Sequence, residues 1–248
     1  MKLLGHAWVA VNSIKKGNRR QVIIGSILPE IMYYTKSNPF IKSEIHEGGD
    51  VFYQFLKTNH PEFKNLGLGM ITHSVKYGAD RFNFDDRLAI LEYSDEKVLD
   101  LRKKLVEILH VDFETSKTRA HNILELGIEV GIIRDHPEFT TEFCDAIADT
   151  KLKNQTVKFL SECFKKDKEE VKKAVNELFD KAKPEYFENA KGLAALWLEL
   201  SKNFDPKPDI VALSVLLTNI SNGFDGRDKL FLAECIKWTA GNIKKLIS

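Results

Sequence analysis

Histidine and carboxylate spacing is the first sign of chemistry in this sequence. All seven histidines (His6, His46, His60, His73, His110, His121 and His136) fall in the first 136 of 248 residues. His6 sits in an apolar run, Leu3-Leu4-Gly5-His6-Ala7-Trp8-Val9, and His73 in another, Leu68-Gly69-Met70-Ile71-Thr72-His73. Burying an imidazole costs free energy unless its nitrogens find partners. One metal ion satisfies several imidazoles at once. His121 and Glu125 stand four apart, which on a helix puts both on one face, a turn apart. Such a pair can grip an ion from a single helix, as metal-binding bundles do. Glu129 extends that face, and His46 with Asp50 repeats the spacing around Gly48-Gly49. Two glycines inside a helix, each costing about 1 kcal/mol relative to alanine, predict close backbone approach there. Glu30, just after Pro29, is placed to turn a carboxylate inward. Imidazole plus carboxylate suits zinc, with iron or manganese as alternatives. Taken singly, His6 and His73 also read as satisfied core histidines, and His121 with Glu125 as an ordinary exposed pair.

The elements that must position these residues are helices. Periodic apolar patterning predicts them over 3–15, 44–57, 66–81, 95–110, 116–133, 138–149, 151–165, 168–181, 186–204, 209–220 and 227–247, with a short apolar segment at 22–28 ending at Pro29. Strand-type alternation is scarce. The expected fold is one all-α domain over 1–248, its first half (1–136) holding the site and 137–248 bracing it.

Composition narrows the function classes. Lys+Arg (37) and Asp+Glu (36) nearly cancel to +1, which argues against a DNA binder. Cys144, Cys163 and Cys235 are odd in number and form no CxxC pair, so they read as thiols in a reducing compartment. The N-terminal apolar stretch is broken by Gly5-His6 and followed by Lys15-Lys16 and Arg19-Arg20, which does not match a signal peptide. No window is apolar enough to span a membrane. A cytoplasmic location is expected.

Read in order, the candidates form a series. His6 lies in a first helix; then come Gly25-Ser26-Ile27-Leu28-Pro29-Glu30-Ile31, His46 before Phe52, Tyr53 and Phe55, Gly69-Met70-Ile71-Thr72-His73 with Asp80 beyond it, and His121-x-x-x-Glu125. This series resembles the bacterial zinc-dependent phospholipase C family and its S1/P1-type nuclease relatives, over roughly residues 1–130. The resemblance implies an all-α protein whose zinc cluster hydrolyses phosphodiester or phosphomonoester bonds. On it, Gly25–Ile31 matches the family's Gly-x-x-x-Pro-Asp-Ile element with Glu30 replacing the aspartate, His46 its loop histidine, Gly69–His73 its Gly-x-x-x-His helix, and His121 with Glu125 its His-x-x-x-Glu.

The departures are specific. The family's bridging aspartate, four residues after the helix histidine, is Tyr77 here. Asp80 is seven residues beyond His73, an axial offset of about 10.5 Å on a continuous helix, too far to share an ion easily. The histidine that follows the aspartate is missing from Arg81-Phe82-Asn83-Phe84-Asp85. Secreted members also use an amino-terminal tryptophan as a ligand, and no processing site here would free one. One or two ions are therefore expected rather than three.

The expected function is a metal-dependent hydrolase of a small phosphate ester or phospholipid head group. His6, Glu30, His46, His73, Asp80, His121 and Glu125 are the expected ligands, and Asp50 or Glu129 the proton acceptor. The alternative is a non-catalytic helical interaction protein with a degenerate metal site. An unrelated His-Asp phosphohydrolase is disfavoured, because only the reversed Asp135-His136 is present.

Overall fold

Apolar periodicity of the helical kind is realised throughout. The structure, a computed structural model, describes residues 2–82, 84–200 and 207–247. Among them there is no β-strand. The α-helices are α1 (Leu3–Ser13), α2 (Arg19–Ile27), α3 (Ile31–Tyr34), α4 (Lys42–Ile45), α5 (Gly49–Asn59), α6 (Lys64–His73), α7 (Phe84–Leu91), α8 (Asp95–Leu109), α9 (Phe113–Asp135), α10 (Pro137–Ile147), α11 (Thr150–Phe164), α12 (Lys168–Asp180), α13 (Ala190–Leu200), α14 (Ile210–Gly223) and α15 (Arg227–Ile247). None of the described helices is long and apolar enough to cross a membrane.

The chain divides into two compact units, each assembled from separate stretches. One comprises Leu3–Arg81, Thr141–Lys183 and Glu234–Ser248, and the other Met1–Lys2, Phe82–Thr140 and Pro184–Ala233. Neither unit is a contiguous half of the sequence, because apolar faces of late helices complete each core.

In the first unit, α6 is held between α2 and α5 with backbone against backbone. A Cβ on Gly25 would lie 2.0 Å from the Leu66 carbonyl oxygen, and one on Gly69 would lie 2.3 Å from that of Val22. These reciprocal contacts leave no room for a side chain between α2 and α6. Around the crossing, Ile23, Ile24, Ile27, Leu28, Ile31 and Phe52 are fully buried. Asn18 caps α2, its Oδ1 accepting from the Gln21 N–H at 3.2 Å. At the other end of α2 the chain tightens into a 3-10 turn, Leu28–Glu30, where Pro29 has no N–H to continue the ladder.

Three predicted helices are shorter than their patterning suggested. The 44–57 segment breaks at 46–48, so His46 lies in a turn between α4 and α5. Gly48 permits the break, since a Cβ there would meet the Glu44 carbonyl oxygen at 2.3 Å. The 66–81 segment stops at His73, and a separate 3-10 turn spans Ala79–Arg81. Of the 186–204 segment, α13 forms 190–200, while 201–206 lie outside the described residues. α7 was not predicted.

In the second unit, α9 is the central helix. Asp112 caps it, Oδ1 accepting from the Thr115 N–H at 2.7 Å. Gly127 lets Ile220 and Phe224 come close, and Gly131 does the same for Asp228.

Candidate metal centre

Five of the seven expected ligands converge in the first unit. α1 is buried on almost every side and carries His6. The 3-10 turn after α2 presents Glu30, the turn after α4 presents His46, α6 ends on His73, and the Ala79–Arg81 turn presents Asp80. His6, Glu30, His46 and His73 are all at most 5 % exposed. The Asp80 side chain, at 21 %, is the most open of the five.

Their ligand atoms face one another. His6 Nε2 lies 3.6 Å from Glu30 Oε1 and 3.5 Å from Asp80 Oδ1. His46 Nε2 and His73 Nε2 lie 3.2 and 3.3 Å from Asp80 Oδ2. Bonds of about 2.0–2.2 Å at tetrahedral angles put neighbouring ligand atoms about 3.3–3.6 Å apart, so these separations fit the edges of a coordination shell. The atoms fall into two overlapping groups, His6–Glu30–His73 and His46–His73–Asp80. The His6 and His73 rings stack with centroids 3.7 Å apart.

His73 is oriented by an interaction the sequence does not advertise. Its Nδ1 lies 3.0 Å from the Ser26 carbonyl oxygen. A carbonyl only accepts, so Nδ1–H donates to it, which leaves Nε2 as the atom that faces Asp80 and the one that would bind a metal. Ser26 lies in the last turn of α2, where carbonyls lack intrahelical partners. Its place one turn before Glu30 was the available signal. Tyr33, exposed, sets its ring edgewise to His46 at 5.6 Å and was also not foreseen.

Charge in the cluster is strongly coupled. Burial would raise the Asp80 carboxyl, but His73, His46 and His6 hold it well below the ordinary carboxylate range. Burial would lower His73, but the Asp80 and Glu30 carboxylates outweigh this and raise it above the ordinary imidazole value. A divalent cation would replace the proton in such a set.

The other two expected ligands sit elsewhere. His121 and Glu125 do share a face of α9, with Nε2 and Oε1 3.2 Å apart. They belong to neither ligand group. Arg87 Nη1 lies 3.0 Å from Glu125 Oε1 and 3.2 Å from His121 Nδ1, and Lys2 Nζ lies 3.1 Å from Glu125 Oε2. Arg87 thus meets both members of the pair, and Lys2 meets Glu125. Burial would raise Glu125, yet nearby positive charges, Lys2 and Arg87 among them, hold it well below its ordinary value.

The expected proton acceptors are also outside both groups. Asp50 opens α5, where its Oδ1 accepts from the Val51 N–H at 2.9 Å. Glu129 is buried within α9 of the second unit. Three of the remaining histidines lie at helix ends: His60, His110 and His136 occupy the C-caps of α5, α8 and α9. No protein-family model matches this sequence, and neither a curated protein nor a solved structure matches it.

Proposed function

We propose that this chain is a metal-dependent hydrolase of phosphate esters, centred on His6, Glu30, His46, His73 and Asp80. The observation that carries the reading is the orientation of Asp80: Oδ1 faces His6, and Oδ2 faces His46 and His73. A carboxylate so divided can serve two adjacent cation positions or close one shell. Zinc is the expected ion, with iron or manganese as alternatives. When bound, it supplies activation of water and stabilisation of charge on the phosphoryl oxygens.

The chain's own residues supply the rest. The Ser26 carbonyl fixes the His73 tautomer. Glu30 and Asp80 offset the ion's charge in a site largely closed to water. Asp80 marks the edge from which a substrate approaches, because it is the most exposed of the set.

One observation favours a reading distinct from the degenerate-site alternative, a non-catalytic protein with a structural ion. Four of the five ligands are at most 5 % exposed, and structural sites are closed where catalytic ones keep a position open. One experiment separates the two. Purified protein is analysed for zinc, iron and manganese, then assayed on a chromogenic phosphodiester and phosphomonoester. Metal with hydrolysis supports the first reading. Metal without hydrolysis supports the second. No metal, even after reconstitution, sinks both and favours an interaction protein with a degenerate site.

A further inference from the structure

The buried arginine of the second unit is only half used. Arg87 is 3 % exposed. One side of its guanidinium is engaged, Nη1 meeting Glu125 and His121. The other side carries Nε and Nη2, the pair that forms the bidentate fork for oxyanions. Nε is buried without a hydrogen-bond partner. Nη2 has only the Phe82 carbonyl, at 3.5 Å, the limit of a meaningful bond. Its Cζ lies over the Phe231 ring, 5.5 Å from the centroid, a second contact that holds the group in place.

Arg87 Nη1 and Lys2 Nζ both meet the buried Glu125 carboxylate. A buried donor edge left unfilled is costly, and an oxyanion fills it. His121, with a side chain 35 % exposed, is the most open member of the cluster.

We propose that the Nε/Nη2 edge of Arg87 is an oxyanion-binding site whose ligand is a phosphate or phosphomonoester dianion. Two of its oxygens accept from Nε–H and Nη2–H, displacing the long contact to Phe82. The site is independent of the metal reading, because it uses none of the five clustered ligands.

The test is calorimetric titration of the full chain, held metal-free with a chelator, using inorganic phosphate in one arm and phenyl phosphate in the other. Wild type is expected to bind at least one of them at a single site, more weakly as salt is raised. Binding in the first arm identifies the free anion as sufficient, and binding in the second alone identifies an ester. Arg87→Lys keeps the charge and loses the fork, and should bind at least about tenfold more weakly. Circular dichroism checks that this variant is folded. Should it fail to fold, loss of phosphorus-31 line broadening on blocking the site with excess sulfate serves instead. Binding of neither probe by wild type, or equal binding by folded Arg87→Lys, overturns the proposal.

Discussion

His73 Nε2 and Asp80 Oδ2 lie 3.3 Å apart, although seven residues separate them in sequence. On one continuous helix they would be two turns apart. The helix instead ends at His73, and Ser74 leaves it with an extended ψ of 154°. The Ser74 hydroxyl accepts from the Tyr77 N–H, and its carbonyl from the Gly78 N–H at 2.8 Å. Gly78 then folds against the Thr72 carbonyl oxygen, 2.0 Å from where a Cβ would sit. That turn carries Asp80 back over the helix end.

Asp80→Asn keeps the shape of this residue and removes its charge. Metal affinity should fall by about 10–100-fold with the fold retained. Titration with zinc against a chelating indicator checks this, and circular dichroism checks the fold. Unchanged affinity removes Asp80 from the centre.

Gly78→Ala tests the turn itself. Its Cβ meets backbone, so the turn must open and Asp80 must move. Metal affinity should drop as in Asp80→Asn, with an overpacking loss of about 1–3 kcal/mol in urea unfolding. Gly69→Ala forces α2 and α6 apart and should cost at least as much, since its Cβ also meets backbone.

His121→Ala should leave the metal content of purified protein unchanged. Arg87 and Lys2 already hold the His121–Glu125 pair. Elemental analysis of the variant beside His73→Ala makes the comparison, and only His73→Ala is expected to lose the ion.

Glu125→Gln tests the buried ion pairs through pH. The folded pKa of Glu125 lies well below its ordinary value. Its contribution is therefore fully present above about pH 4.3, the unfolded value, and is lost as pH falls through the depressed folded value. Breaking a buried pair costs about 3–5 kcal/mol. Urea midpoints for wild type and Glu125→Gln should differ most near neutrality and converge below pH 4. A gap that stays constant with pH would assign the loss to packing instead.

Sequence alone determined the helical class, because apolar residues recur at helical spacing in almost every segment and strand alternation is scarce. It also singled out His6 and His73, since imidazoles in apolar runs demand partners, His46 by its spacing to Asp50, Glu30 by its place after Pro29, and Asp80 through the family resemblance alone. Local spacing could not say which of them meet. The i,i+4 pair His121–Glu125 looked strongest because its geometry is internal to one helix, yet what approaches that face is a tertiary matter, and Arg87 and Lys2 arrive there. Asp80 looked weakest because helical periodicity was extended through Gly78, where a backbone contact with Thr72 ends it. Convergence of these five side chains from α1, α6 and three turns was decided by the glycine crossing of α2 and α6. That crossing depends on which backbones touch across long sequence separations, and no periodicity within either helix encodes it.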